Sequence, residues 1–335
     1  MRRSLHLRRN SQNAWWAPGV RTFLRSRSGI LARLIRNPIP GSEPWRRKQL
    51  DVARNGGIGD VLLCTPALRE LKRKNPECRV RFYTRHPSLV RGLPYVDLAL
   101  PYAERPSGAI YLQYEDAIPP RVHFAKIIGD NLGLDVKDVR PDCVIDPKLV
   151  AFFRKSWRQL PRPHIIVQRR GSRWTPNKNW PLENWQQLIN ALSRNGTVLE
   201  IGHQNSAPAV NLESYVDLRG QSLEEALATI AAGDIFVGPP SGPAHVAAAA
   251  GVLAVIIIGG YELPDNSAYS GTIGLHTSVQ CSPCWLREPC PHQLKCLTAI
   301  EPAIVKKVVL ETLAAHKFAS ANDATMDRSH LYCRE

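Results

Sequence analysis

The feature that most constrains this chain is a repeated alternation. Short β-type apolar runs are followed by segments whose apolar residues return every three or four positions. In the first series, runs over 50–53, 79–83 and 97–100 read as strands. Helical periods cover 61–74, with Leu62, Leu63, Ala67, Leu68 and Leu71 on one face, and 122–132. A helical segment over 149–160 leads to a link marked by Pro161-Arg-Pro163. A second series follows, with strands over 164–168, 197–201, 215–218, 235–237 and 253–258 and helices over 182–194, 223–232 and 244–250. Such alternation predicts parallel sheets covered by helices on both faces. Two series joined by a proline-marked link predict an α/β protein of two Rossmann-like domains facing each other across a cleft. The expected boundaries are a basic extension over 1–48, an N-terminal domain over 49–160, a C-terminal domain over 161–318 and a tail over 319–335.

Length agrees with two domains, because single cores stop growing near ~250–300 residues and this chain has 335. The net charge of +15 is unevenly placed. Residues 1–48 hold twelve Lys or Arg and one acid, Glu43, so 12 − 1 = +11 lies before the first strand and about +4 remains for the rest. That distribution argues against a nucleic-acid surface on the folded body, and no nucleic-acid partner is expected. Within the extension, Val20, Phe23, Leu24, Ile30, Leu31, Leu34 and Ile35 keep a helical period, with Arg21, Arg25, Arg33 and Arg36 on other faces. A basic amphipathic helix with Trp15 and Trp16 near its start suits an anionic membrane surface, with Arg27 on the apolar stripe as the discordant residue. A solvated basic tail or an Arg-rich transit segment is the alternative. No apolar run reaches the ~18–20 residues of a spanning helix, and no signal-peptide pattern opens the chain. The expected location is cytoplasmic, peripheral on the inner face of the plasma membrane, with the eight cysteines as thiols or metal ligands.

Three turns carry the chemistry. Arg54-Asn-Gly-Gly57-Ile-Gly59-Asp60, followed by Val-Leu-Leu-Cys-Thr65-Pro66, places glycines and one acid where a strand becomes a helix. The third position of a dinucleotide fingerprint is Leu62, and no acid ends the next strand, so a nicotinamide or flavin site is not expected here. What remains is an ionised carboxylate at a helix start, suited to deprotonating a sugar hydroxyl; the plainer role is a helix cap. Gly57, Gly59 and Thr65 are placed with it on the cleft or acceptor loop, and 101–120, with Tyr102, Tyr111, Tyr114, Glu115 and Asp116, is a second loop facing the cleft. In the second domain, Ser241-Gly242-Pro243-Ala-His245 before an alanine-rich helix offers free amides for a pyrophosphate, with His245 either touching phosphate or packed. The loop from Arg169 to Pro181 is cationic, with Lys178 as a point charge and Trp180-Pro181 as an anchor.

These stretches, Gly59-Asp60-Val-Leu-Leu-Cys-Thr-Pro66, then Asn177-Lys178-Asn-Trp180-Pro181, then Ser241-Gly242-Pro-Ala-His245, resemble the pattern of glycosyltransferase family 9, the ADP-heptose:lipopolysaccharide heptosyltransferases and their relatives. The similarity runs over about 49–315. The resemblance implies a GT-B fold and inverting transfer from a nucleotide-activated sugar, ADP-heptose or another ADP-sugar, without a catalytic metal. It implies Asp60 as the base for the acceptor hydroxyl and Lys178 as the partner of the departing diphosphate, with Ser241, Gly242 and His245 at the phosphates. A lipid-linked glycan, such as a lipopolysaccharide core, is the implied acceptor. Many members carry an Asp just before the Ser/Thr-Gly, expected to contact donor-sugar hydroxyls; this chain has Pro240 there. A non-catalytic or donor-switched member is therefore the competing reading. Cys281, Cys284, Cys290 and Cys296 are read first as reduced buried thiols, so no metal is assigned, with a structural zinc, which their spacing permits, as the alternative.

Overall fold

The computed structural model describes residues 43–322 apart from 172, 173, 208, 209 and 211. The expected amphipathic helix within 1–48 and the last part of the tail lie outside the described residues. No helix among them is long and apolar enough to cross a membrane.

Among the described residues ten strands form two wholly parallel sheets. The first has the order β3-β2-β1-β4 and is built from β1 (Gln49–Arg54), β2 (Arg79–Thr84), β3 (Leu98–Pro101) and β4 (Ile110–Tyr111). The second has the order β10-β9-β8-β5-β6-β7. It comprises β5 (His164–Val167), β6 (Thr197–Glu200), β7 (Tyr215–Asp217), β8 (Ile235–Gly238), β9 (Leu253–Gly259) and β10 (Thr272–His276). In each sheet the strand order reverses beside the first strand, next to β1 and next to β5. Such switch points leave a crevice at the carboxyl ends of the strands.

The helices are α1 (Ile58–Leu62), α2 (Thr65–Lys74), α3 (Phe124–Asp130), α4 (Pro147–Ser156), α5 (Leu182–Leu192), α6 (Leu223–Ala232), α7 (Gly242–Ala249), α8 (Lys295–Thr298) and α9 (Pro302–Asn322). Local chemistry explains several limits. α2 opens with Pro66 in its first turn and closes on Lys72-Arg73-Lys74, cations that suit the negative end of its dipole. Ser222 and Glu225 cap α6 reciprocally, at 3.2 and 2.9 Å. α4 begins at Asp146, whose carboxylate accepts from the Lys148 amide at 2.8 Å.

The expected single helix over 61–74 is two helices, because the chain turns at Leu63 and Cys64 before restarting at Thr65. The expected loop over 101–120 contains the two-residue β4, paired with Val52 and Ala53 of β1. β10 and α9 complete the second half. One apolar cluster runs through both sheets: Val150, Phe153 and Trp157, which precede Pro161, join Ile166, Leu227 and Ala231, which follow it. Arg154 of α4 also donates to the Ala231 carbonyl at 3.1 Å. A second cluster, around Trp180, Trp185, Val198 and Ile257, fills the other face of the larger sheet.

Candidate functional site

The carboxyl ends of both sheets open on one cavity of about 770 Å3. Its wall from the first sheet includes Arg54, Gly57, Gly59, Asp60, Tyr114 and Glu115; its wall from the second includes Gln168, Lys178, Pro240, Ser241, Gly242, His245 and Glu262.

At one end, β1 delivers Arg54 and α1 delivers Asp60. Gly56 is required here, since a Cβ on it would lie 2.5 Å from Asp60 Cβ. Asp60 Oδ2 accepts from the Gly57 amide at 2.8 Å, so the residue does cap its helix. Its Oδ1 accepts from Arg54 Nη2 at 2.8 Å and from the Tyr114 hydroxyl at 2.6 Å. Burial favours the neutral acid, but the Arg54 charge, these two hydrogen bonds and the Gly57 amide outweigh it and hold the carboxyl below its ordinary range. Asp60 is thus a carboxylate at neutral pH, with a side chain 25 % exposed. Arg54 is fully buried and also grips Glu115 at 2.7 and 2.9 Å.

The two halves meet at glycines. A Cβ on Gly59 would lie 2.7 Å from the His245 ring, and one on Gly242 would lie 2.8 Å from Ile58 Cβ. Gly59 and Gly242 therefore serve the close approach of α1 to α7. His245 Nδ1 pairs with the Tyr269 hydroxyl at 2.6 Å. Burial and the nearby His123 and Lys178 push its pKa down to about 3 against the opposing pull of Asp60, so the ring is neutral and can offer an N–H but no charge.

At the other end, Lys178 Nζ donates to Glu262 Oε2 at 2.8 Å and lies 4.6 Å from the Tyr261 ring centroid. Glu262 is 2 % exposed and also accepts from Ser267. Ser241 donates to Gln168 Oε1 at 2.6 Å, which leaves the start of α7 without a side-chain cap. Prolines at 240 and 243 carry no amide hydrogen, so Ser241 and Gly242 bring the N–H groups of this turn. Between the two ends runs a row of aromatic rings: Tyr114 on Phe124 at 4.5 Å, Phe124 on Trp285 at 5.8 Å, and Trp285 on Tyr261 at 5.1 Å.

Asp60, Lys178, Ser241, Gly242, His245, Gly57 and Gly59 thus share one cavity, as their motifs suggest. Thr65 does not. It is fully buried, donates to the Leu62 carbonyl at 2.7 Å and accepts from the Asp142 amide at 2.8 Å, a helix-start role away from the cavity. For the four cysteines the thiol reading fits better than the zinc alternative. Among the described residues no three His, Cys, Asp or Glu side chains come together as a metal-holding group, and Cys281, Cys284, Cys290 and Cys296 are free thiols. Sequence reasoning missed the pairing roles of Arg54 and Glu262. Each stands at or just beyond the carboxyl end of a strand beside a glycine turn, which is the signal that could have marked them.

The family model described as glycosyltransferase family 9 (heptosyltransferase) matches residues 121–266. The match includes Lys178, Ser241, Gly242 and His245 and begins after Asp60. Solved glycosyltransferase structures share the fold. The family 9 glycosyl transferase from Veillonella parvula DSM 2008 superposes with a TM-score of 0.64 at 18 % identity, over 81 % of this chain and 99 % of that one. The E. coli ADP-heptose lps heptosyltransferase II gives 0.60 at 17 %, over 80 % and 100 %. The iron-containing dodecameric glycosyltransferase TibC of enterotoxigenic E. coli H10407 gives 0.62 at 19 %, over 82 % and 77 %. TibC is also solved in complex with ADP-D-β-D-heptose. No curated protein sequence matches the chain.

Proposed function

We propose that the protein is a member of glycosyltransferase family 9 and an inverting GT-B glycosyltransferase. Its two Rossmann-like domains, 49–160 and 161–318, bind acceptor and nucleotide-sugar on opposite walls of the cavity. The observation that carries the reading is the shared cavity: its wall from the first sheet holds an ionised Asp60, and its wall from the second holds Lys178 and the amides of Ser241 and Gly242. An acceptor hydroxyl at Asp60 loses its proton to the carboxylate while its oxygen attacks the anomeric carbon. The diphosphate leaves toward Lys178 and the start of α7, where a cation and a positive helix end meet the developing charge. The donor is a nucleotide-sugar, ADP-heptose first among candidates because relatives act on or bind it. No metal takes part in the proposed chemistry.

We further infer a lipid-linked glycan acceptor of lipopolysaccharide-core type. The basic segment 1–48 would hold the enzyme against the anionic inner face of the plasma membrane.

One observation favours a second reading. Pro240 lines the cavity where many relatives place an Asp, so donor-sugar hydroxyls lose a carboxylate partner, which suits a switched donor or a binding protein. A panel of ADP-, GDP- and UDP-sugars, assayed for nucleotide release with membrane lipid acceptors, separates the readings. Release with ADP-heptose supports the first, release with another sugar the switched donor, and binding without release of any nucleotide the non-catalytic protein.

A further inference from the structure

The two oxygens of Asp60 are not equivalent. A carboxylate oxygen has two lone pairs, and both places on Oδ1 are filled, by Arg54 Nη2 at 2.8 Å and the Tyr114 hydroxyl at 2.6 Å. Among the described residues Oδ2 accepts only the Gly57 amide, at 2.8 Å, which leaves one of its two lone pairs to the cavity that the side chain lines.

Arg54 itself is divided between two acids. Its Nη1 and Nη2 fork onto Glu115 at 2.9 and 2.7 Å, Nη1 also donates to the Leu112 carbonyl at 3.0 Å, and the guanidinium lies 4.8 Å from the Tyr114 ring centroid. The two-pronged contact goes to Glu115 and the single one to Asp60, so Glu115 neutralises most of a cation that would otherwise bear on Asp60 alone. The remaining groups facing Asp60 are Cys64, which donates to the Asp60 main-chain carbonyl at 3.3 Å, and His245 of α7, a neutral ring. The Tyr111 ring centroid lies 5.6 Å from the Arg54 guanidinium.

We propose that Arg54, Tyr114 and Glu115 are the positioning residues of the acceptor base: Arg54 and Tyr114 occupy Oδ1 so that Oδ2 receives the proton, and Glu115 limits the hold of Arg54 on Asp60. This deepens the Asp60 reading and rests on it. In the step, the acceptor O–H bond breaks and its proton goes to Oδ2. The freed oxygen pair forms the new bond to the anomeric carbon, and the bond from that carbon to the phosphate oxygen breaks with its electrons leaving on the nucleoside diphosphate.

The direction of each substitution follows from charge. Glu115→Gln removes a negative neighbour and turns the full Arg54 charge onto Asp60, so its titration moves down. Tyr114→Phe removes a hydrogen bond to the ionised form, so its titration moves up. Both replacements nearly keep side-chain volume, and Glu115 is 41 % exposed.

The test is a carboxyl-13C NMR titration of the full chain labelled at aspartate, with the Asp60 signal assigned by its loss in Asp60→Asn, beside the pH profile of kcat with the active nucleotide-sugar. The expected result is a shift of about one pH unit down in Glu115→Gln and up in Tyr114→Phe, matched by the acidic limb of kcat, with KM for the nucleotide-sugar within about twofold. An unshifted Asp60 titration in both variants, or shifts of the opposite sign, overturns the proposal. Expected NMR shifts in a wild-type protein that transfers no sugar uphold the positioning and overturn the glycosyltransferase reading instead, so the two failures are distinguishable.

Discussion

Lys178 Nζ donates to Glu262 Oε2 at 2.8 Å, beside the Tyr261 ring and on the wall of the cavity opposite Asp60. The buried acid aims the ammonium, which would otherwise sweep through solvent on its four-carbon stem. A charged hydrogen bond to a diphosphate contributes about 1.5–3 kcal/mol. Lys178→Ala is therefore expected to weaken ADP binding by about tenfold to a hundredfold, read by titration calorimetry on the full chain. Unchanged ADP affinity would remove Lys178 from the phosphate site.

The approach of α1 to α7 makes its own prediction. A methyl at Gly59 collides with the His245 ring at 2.7 Å, whereas one at Gly108 meets nothing within 4 Å. Gly59→Ala should cost about 1–3 kcal/mol by overpacking. Gly108→Ala should be neutral or gain up to about 1 kcal/mol by restricting the unfolded chain. Urea midpoints of the two variants check this, and equal midpoints would contradict the close contact.

His245 and His123 predict acid sensitivity. Burial, helped by neighbouring cations, holds their pKa values at about 3 and about 4, below an ordinary 6.5. Both are neutral in the folded and unfolded chain above pH 6.5, so they contribute no pH dependence there. Below 6.5 the unfolded chain takes up protons that the folded chain refuses, and stability falls as pH falls toward 4. Each histidine should contribute a slope of up to about 1.4 kcal/mol per pH unit in that window. Urea unfolding between pH 4 and 7, on the wild type and on His123→Gln, measures it; His123→Gln should flatten the slope, and an unchanged slope would contradict the assignment.

Much of this architecture is legible in the residues. Parallel strands and their helices follow from apolar periodicity because each element buries one continuous face, as Leu68 and Leu71 of α2 and Leu188 and Ile189 of α5 do. β4 was hidden because Ile110 and Tyr111 are too few to show an alternation, and only pairing with β1 makes them a strand. The break after Leu62 was hidden because Leu63 continues the apolar face across it, although Pro66 marks where α2 restarts. At the site, Asp60, Lys178 and Ser241 sit in recognisable turns. Their partners are distant in sequence: Arg54 and Glu115 are 61 residues apart and Lys178 and Glu262 are 84 apart, so those pairs exist only once both sheets have formed. Thr65 shows the reverse error, a motif residue whose hydroxyl is spent on the Leu62 carbonyl and the Asp142 amide.

The most direct test of the central claim is the turnover of Asp60→Asn with a nucleotide-sugar and lipid acceptor that the wild-type enzyme uses. Asparagine keeps the size of the side chain and an oxygen for Gly57 or Arg54, but it cannot take the acceptor proton. The account predicts that kcat falls by about 10²- to 10⁴-fold while affinity for the nucleotide stays within about twofold. Near-wild-type turnover by Asp60→Asn would contradict it.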